Sequence, residues 1–447
     1  MNVQTLLSKA ALLAVSPEAV APSVAEIVRD VASVAVSGQD SEAAGVLRRY
    51  VRMATRSGPC SIWGTGLRAD AETAAMVNSA AAQSQDYDDW APACGAHLSG
   101  VIVPAAAAFA HEADPARGLV SLAVGFMAVN ALATADFQRL YDQGLQPTHL
   151  LGTLGAVVAI NHLLGLPRDV CSAALGLAAT QLIGLRDHTG TNYKGAQGGI
   201  AAAAAVRSVQ LARLGLRAGD GAVDTVLRLA GVTDDALARI AAQSLYRLPV
   251  VAPKVFPSCG ASHTGVEAAL LVRQQVVADC GRAALTADDL RLTICSPPAV
   301  LSALRFADPV NADQARFSMH YCVATAWSRG SLPVAAFDAT ALADEQVRRT
   351  MARIDHRGDP ALSPAPGWSG YQAVVTAEVG GRVLTAQVDE PLGYPRRPVD
   401  TGRRWTKFLE CLGPRFGPRA DRALFAALAD RDALAALDRV LHVADLT

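Results

Sequence analysis

Apolar residues recur at helical spacing along most of the chain. Between residues 21 and 50 they include Val24, Ile27, Val28 and Val31, which share one face of a helix. Further Ala-rich segments with helical spacing cover residues 69–86, 101–113, 118–136, 144–166, 168–184 and 200–214. The pattern predicts a mainly helical protein.

The pattern changes near residue 248. Residues 248–263, LPVVAPKVFPSCGASH, contain three prolines, which favours an irregular crossing segment over a helix. From about 265 to 390, helical patterns alternate with strand-like ones, including LRLTICSPP and a hairpin centred on Gly380 and Gly381. Helical spacing returns after Pro395. An α+β module is therefore predicted within a helical protein.

Composition excludes several classes of protein. Of the 447 residues, 51% are hydrophobic and only 18% are charged, which is typical of closely packed helices and not of disorder. The formal net charge of −1 argues against nucleic acid or an anionic membrane as the main partner. Eight cysteines without metal-ligand spacing predict reduced thiols and a cytoplasmic protein. Residues 1–21 are interpreted as a first helix and not as a signal peptide.

One segment also fits a membrane span by length. Residues 118–136 are nearly uncharged and about long enough to cross a bilayer. The segment is rich in Ala and Gly, is flanked by Arg117 and Arg139, and is followed by similar Ala-rich helices. A helix buried on all sides in a large helical domain has the same composition. We therefore predict a buried core helix and no membrane partner.

Titratable residues are concentrated between Ser84 and Gly100. This stretch contains Asp86, Asp88, Asp89 and His97, although charged residues are scarce elsewhere. A solvated acidic loop that caps the following helix explains such a segment. A proton-transfer site explains it as well, because an imidazole exchanges protons near neutral pH. The stretch alone leaves both interpretations open.

Further motifs follow this stretch in a fixed order. After DYDD (86–89) and His97 come GTLGA (152–156), K-x-x-Q-x-G-x-A-A from Lys194, K-x-F-P-S-C-x-x-x-H from Lys254 to His263, FSMHY (317–321) and KFLEC (407–411). In this order and spacing, the motifs resemble the MmgE/PrpD family. The family includes 2-methylcitrate dehydratases, cis-aconitate decarboxylases and an iminodisuccinate epimerase.

The resemblance implies a particular architecture. A large all-helical domain is expected from residues 1–264 and 391–447, with a smaller α+β lid domain at residues 265–390. It also implies a homodimer, an active site between the two domains, and no metal or organic cofactor. The family moves a proton on or off a carbon next to a carboxylate. The implied substrate is therefore a small polycarboxylic acid.

The resemblance and the residue chemistry together suggest catalytic roles. Lys194 and Lys254 lie in Gly-rich or apolar loops, where an ammonium is costly unless it meets an anion. His97 is the candidate proton carrier and Asp86 its orienting partner. Tyr321 is a candidate donor to a leaving hydroxyl or to the developing charge. Taken singly, each lysine also fits a surface ammonium, and Tyr321 fits a core residue with a satisfied hydroxyl.

A second set of residues is expected to line the substrate pocket. Gln146 stands where the family often has a histidine, so His149 or His188 would have to replace that acid/base group. Cys259 is expected to line the pocket and not to attack, because no base is identifiable beside it. His263 is expected to pack at the start of the helix that follows.

Three functions remain open from the sequence. The first is a lyase, either a dehydratase or a decarboxylase. The second is an isomerase, epimerase or cyclase with the same proton chemistry on a biosynthetic intermediate, which Gln83 and Gln146 favour as departures from the family pattern. The third is a catalytically silent binding protein, against which the retained Asp86, His97 and lysines argue.

Overall fold

The computed structural model describes residues 2–53, 57–133, 137–362 and 371–443. Helices account for most of these residues, so the prediction of a mainly helical protein is confirmed. The helices before residue 245 are α1 (Val3–Ala10), α2 (Pro17–Gly38), α3 (Glu42–Met53), α4 (Ala71–Ser84), α5 (Ser99–Ala107), α6 (Gly118–Leu132), α7 (Phe137–Asp142), α8 (Pro147–Leu163), α9 (Arg168–Ala179), α10 (Tyr193–Arg213), α11 (Ala222–Leu229) and α12 (Asp234–Ala241). Two short strands, β1 (Cys60–Ser61) and β2 (Arg68–Ala69), pair between α3 and α4.

The middle of the chain mixes helices and strands, as predicted. Its elements are α13 (His263–Cys280), β3 (Arg291–Ser296), α14 (Pro298–Ala303), α15 (Ala312–Ala315), α16 (Met319–Arg329), α17 (Ala339–Leu342), α18 (Glu345–Met351), β4 (Ile354–Gly358), β5 (Ala373–Val379) and β6 (Arg382–Val388). The strands form a sheet in the order β4-β3-β5-β6, in which only the β3–β4 pair is parallel. Gly380 and Gly381 connect β5 to β6 with φ angles of 58° and 70°, values that favour glycine. The predicted hairpin is confirmed.

The last helices in the described ranges are α19 (Thr401–Phe416), α20 (Arg422–Ala427) and α21 (Ala433–Val440). Among the residues that the structure describes, the buried apolar ones form two separate clusters. The first contains residues from 3–245 and from 408–443, so both parts of the chain build one core. The second contains residues from 256–388. Phe256 and Ala261 belong to the second cluster although they precede residue 265.

Helix α6 corresponds to the segment that fitted a membrane span. Residues 115–132 are long and apolar enough to cross a bilayer by length and composition, and 78% of them are buried inside the protein. The helix contributes Leu122, Phe126 and Val129 to the first cluster. This burial agrees with the prediction of a core helix.

Lys194 lies in the first turn of α10, and not in a glycine-rich loop as the sequence suggested. The glycines that follow it allow α10 to pack tightly against α4. A Cβ on Gly198 would lie 2.0 Å from Gln83 Nε2, and one on Gly199 would lie 2.4 Å from the Met76 carbonyl oxygen. The same residues that resembled a loop are therefore required for close helix packing.

Replacement of Gly199 by Ala tests this packing. The new Cβ would press on the backbone of α4, which cannot move aside alone, so we expect unfolding free energy to fall by about 1–3 kcal/mol. Urea denaturation measures the change. Gly45→Ala on α3 is the control, because its Cβ would meet only Arg49 Nη1 at 3.8 Å. The control should gain up to about 1 kcal/mol from helix propensity. Equal effects would contradict the packing argument.

Candidate active site

The loop after α4 carries the acidic stretch into the protein interior. Trp90 forms an antiparallel bridge with Ala252, in which Trp90 N donates to Ala252 O at 2.9 Å and Ala252 N donates to Trp90 O at 2.8 Å. The bridge joins the loop to the irregular segment that leads to Lys254. Two stretches far apart in sequence thereby meet at the candidate site.

Asp86 adopts an unusual backbone conformation. Its φ angle is 50°, and it is the one residue other than glycine with a positive φ in the part of the chain that the structure describes. Aspartate tolerates this left-handed region better than most residues, yet the conformation is uncommon and clusters at functional sites. The conformation directs a buried carboxylate toward two lysines.

The carboxylate of Asp86 binds both predicted lysines. Lys194 Nζ donates to Oδ1, while Lys254 Nζ donates to Oδ2 at 2.6 Å and to the Asp86 carbonyl oxygen at 2.7 Å. All three side chains are buried. Burial alone would raise the pKa of Asp86, but the two ammoniums outweigh it and hold that pKa well below its usual range. Burial likewise opposes the charge on Lys194, but Asp86 and Asp88 raise the pKa of Lys194 above its usual value.

His97 lies beside this group. Its Nε2 is 3.7 Å from Asp86 Oδ1, and its Nδ1 is 3.2 Å from Asp88 Oδ1, without the alignment of a hydrogen bond. The ring packs edge-on against Trp90 with centroids 5.2 Å apart. Burial lowers the pKa of His97, and the two lysines add to that effect against the opposing influence of Asp88. A neutral imidazole next to charged ammoniums supplies a base and two acids in one site.

The donor atoms of Asp86, Asp88 and His97 lie within 4.8 Å of one another, which is close enough for a metal ion. Lys194 and Lys254 already bind both oxygens of Asp86. A divalent cation at this position would face two ammoniums at short range. The charges therefore fit proton transfer better than metal binding.

Cys259 and His263 belong to the Lys254 segment. Burial, with a smaller contribution from Asp86, raises the pKa of the Cys259 thiol to about 11. The thiol is therefore protonated at neutral pH, which does not suit a nucleophile. His263 begins α13, is buried, and packs edge-on against Phe256 at 5.3 Å. Burial lowers the pKa of His263 to about 3, so this histidine is neutral.

Gln146, which is expected to line the substrate pocket, lies at the start of α8. Gln146 precedes the helix and donates its backbone N–H to Gly184 O at 2.9 Å. Three residues later, His149 is buried with Nε2 2.9 Å from Gln181 O. The His97 backbone N–H donates to Thr148 Oγ1 at 3.0 Å, which ties this helix start to the proton-transfer group.

His188 and Tyr321 are placed differently. His188 is partly exposed and packs edge-on against Tyr193, the residue before Lys194, at 4.6 Å. Tyr321 is fully buried in the second cluster, where its hydroxyl donates to the Ala336 carbonyl oxygen. The structure thus places Tyr321 in the second cluster and not in the Asp86 group, and its hydroxyl proton is used in a core hydrogen bond.

The structure also adds residues for which the sequence pattern predicted no role. Lys407 Nζ donates to the Tyr87 carbonyl oxygen at 2.9 Å, and the Tyr87 hydroxyl donates to Glu410 Oε2 at 3.0 Å. The KFLEC motif therefore binds both the backbone and the hydroxyl of Tyr87, the residue after Asp86. Arg316, directly before FSMHY, is a buried guanidinium near the site. Lys407 belongs to the KFLEC motif and Arg316 directly precedes the FSMHY motif. Their position at these motifs is the sequence feature that could have identified them.

Two family models match the chain. The MmgE/PrpD N-terminal domain matches residues 9–227, and the MmgE/PrpD C-terminal domain matches residues 256–431. The chain belongs to the MmgE/PrpD family. The resemblance seen in the motifs is thereby confirmed over most of the sequence.

Two curated relatives illustrate the similarity. The cis-aconitate decarboxylase-like protein oryM of Aspergillus oryzae is 32% identical over 138 residues, which are 29% of this chain and 29% of that protein. A cis-aconitate decarboxylase of Aspergillus terreus is 29% identical over 176 residues, which are 37% of this chain and 36% of that protein. The aligned segments span about a third of each relative's length.

Replacement of Asp86 by Asn tests the charge pairing. The variant leaves two buried ammoniums without an anion, so we expect unfolding free energy to fall by about 3–5 kcal/mol at pH 7. Because the pKa of Asp86 is depressed in the folded protein, its contribution is present above the ordinary value of 3.8 and is lost as pH falls through the folded pKa. The difference between wild type and variant should therefore shrink in acid.

Asp40→Asn is the control for this measurement. Asp40 pairs with Arg415 at the surface, with its side chain 69% exposed. Surface pairs contribute at most about 1 kcal/mol. Urea denaturation of the three proteins as a function of pH compares the two carboxylates. Equal losses at pH 7 would show that Asp86 does not hold the lysines in the buried site.

Proposed function

We propose that the protein is a lyase of the MmgE/PrpD type that acts on a small polycarboxylic acid. The observation that carries the proposal is the buried Asp86 between Lys194 and Lys254, with a neutral His97 beside it. Decarboxylation of cis-aconitate is the first candidate reaction, since relatives with that activity in their names share the family. A homodimer and a cytoplasmic location remain predictions from the sequence.

The proposed chemistry centres on one carbon next to a carboxylate. On decarboxylation, the bond to the departing carboxylate breaks, its electron pair forms a new double bond to the neighbouring carbon, and carbon dioxide leaves. The π electrons of the original double bond then rest on its far carbon, which is next to another carboxylate. The nearby ammoniums stabilise that charge in a site that excludes water. Protonation of this carbon completes the reaction: one lysine ammonium gives a proton to neutral His97 and becomes a neutral amine, and His97 passes a proton to the carbon and is neutral again.

The same residues also suit dehydration. Neutral His97 takes the proton from carbon, and an ammonium gives a proton to the departing hydroxide. Acid, base and stabilising cations are all side chains of this chain, so we expect neither step to need a metal or organic cofactor. Isomerisation or epimerisation needs only the proton transfer and is the second candidate, which Gln146 at the α8 start favours.

Proton transfer to carbon is observable by NMR in deuterated water. We expect the wild-type protein to convert cis-aconitate to a product that carries one deuteron. We also expect it to exchange the proton on the product carbon next to the carboxylate. 2-Methylcitrate and iminodisuccinate are tested in parallel. Deuterium uptake by an acid that loses neither carbon dioxide nor water would favour an isomerase. No turnover and no exchange with any of the acids would contradict the proposal.

His97→Gln assigns the exchange to one residue. Loss of the proton carrier should slow exchange about 10²- to 10⁴-fold. His162→Gln is the control, because His162 is also buried but uses both ring nitrogens structurally. Its Nδ1 is 2.8 Å from Ser121 Oγ and its Nε2 is 3.2 Å from Leu13 O. Full exchange activity in His97→Gln would remove His97 from the mechanism.

The pH dependence of the exchange rate follows from the lowered pKa of His97. His97 must be unprotonated to act as a base. The exchange rate should therefore rise with pH at values below 6.5, the ordinary pKa of histidine, and then level off. Asp88 raises the pKa of His97. Asp88→Asn should therefore move this rise to lower pH. A rise above pH 6.5, or a move to higher pH in Asp88→Asn, would contradict the assignment.

A further inference from the structure

Arg316 is a buried cation that forms no ion pair with a carboxylate among the residues that the structure describes. It lies between α15 and α16, is 8% exposed, and its guanidinium stacks over the Phe337 ring with Cζ 4.4 Å from the centroid. Within the described ranges, its Nε and Nη1 atoms have no hydrogen-bond partner. Burial of an unpaired charge is costly unless something else compensates for it. The side chain therefore indicates an anion that binds from outside the chain.

The position of Arg316 places that anion next to the candidate active site. The Cys259 backbone N–H donates to the Arg316 carbonyl oxygen at 2.9 Å, and Cys259 belongs to the segment that begins at Lys254. The next residue, Phe317, has its ring centroid 5.7 Å from Lys194 Nζ. Burial lowers the pKa of Arg316 to about 10, against the charges of Asp313 and Asp86, so the guanidinium stays charged at neutral pH.

Arg316 differs in this respect from the two lysines. Lys194 and Lys254 both bind the carboxylate of Asp86, which compensates for much of their charge. A planar guanidinium with free N–H groups matches a carboxylate with two parallel hydrogen bonds, a geometry that an ammonium cannot provide. The chemistry of the missing anion is therefore that of a carboxylate.

We propose that Arg316 binds a second carboxylate of the substrate, remote from the reacting carbon. The site would thereby select di- and tricarboxylic acids over monocarboxylic acids. The proposal rests on the proposed function for the identity of the ligand. Its test is a binding measurement and needs no turnover.

Isothermal titration calorimetry with tricarballylate and propionate tests the selection. Tricarballylate carries three carboxylates and no double bond or hydroxyl, so it reports binding alone. We expect Arg316→Met to weaken tricarballylate binding about 10- to 100-fold and to leave propionate binding unchanged. Arg316→Lys should recover only part of the lost affinity, since an ammonium cannot donate two parallel hydrogen bonds to one carboxylate. Unchanged tricarballylate affinity in Arg316→Met, or no binding of tricarballylate by the wild type, would overturn the proposal.

Arg29→Met is the matched control for folding. Arg29 is also buried and stacks over Phe425 at 3.7 Å, but it binds Glu26 and donates to the Phe425 carbonyl oxygen at 3.2 Å. We expect Arg29→Met to lower Tm and to leave tricarballylate affinity unchanged. Arg316→Met should keep or raise the Tm of the unliganded protein and lose the Tm increase that tricarballylate gives the wild type. A Tm loss like that of Arg29→Met would show a structural role and overturn the proposal.

The two proposals fail in different ways. If the wild type binds tricarballylate through Arg316 but exchanges no proton with any acid, the proposed function fails and the carboxylate subsite stands. If exchange depends on His97 while Arg316→Met keeps full tricarballylate affinity, the subsite fails and the proposed function stands.

Discussion

The pairing of one buried carboxylate with two buried ammoniums is the interaction on which the site depends. Asp86 follows α4, Lys194 lies in the first turn of α10, and Lys254 lies in the irregular segment before α13. Each charge of this group is compensated by the others, and a charge left unpaired in the interior costs several kcal/mol. The three segments are therefore fixed relative to one another by charge as well as by packing. His97 derives its neutral state from the same burial and the same lysines.

The unusual backbone of Asp86 persists because its neighbours are held on several sides. Lys407 and Glu410 bind Tyr87, and the bridge to Ala252 fixes Trp90. A left-handed non-glycine residue costs of order 1–3 kcal/mol and survives only where the surroundings over-determine it. Here the supports come from α19 and from the segment before Lys254. A helix near the end of the chain thus positions a residue near its beginning.

The sequence predicted what depends on local pattern and residue type. Helical spacing gave the helices, the Gly380–Gly381 pair gave the hairpin, and the order of motifs gave the family. It did not predict which partner each side chain meets. Lys194 lies in a glycine-rich stretch that was predicted as a loop, because a sequence does not reveal that α4 packs against the glycines after Lys194. Tyr321 and Arg316 are a few residues apart in sequence. The Tyr321 hydroxyl has a hydrogen-bond partner in the core, whereas Nε and Nη1 of Arg316 have none among the described residues.

The two hydrophobic clusters have a consequence for the order in which the chain folds during synthesis. The cluster of residues 256–388 is complete once the ribosome has passed that range, whereas the first cluster still lacks its members from 408–443. Domains generally fold as units as they emerge. The nascent helical part must therefore wait, with apolar surface uncovered, while a later part of the chain is already able to fold. The support of Tyr87 by Lys407 also arrives last, so the site takes its final form only after α19 has docked.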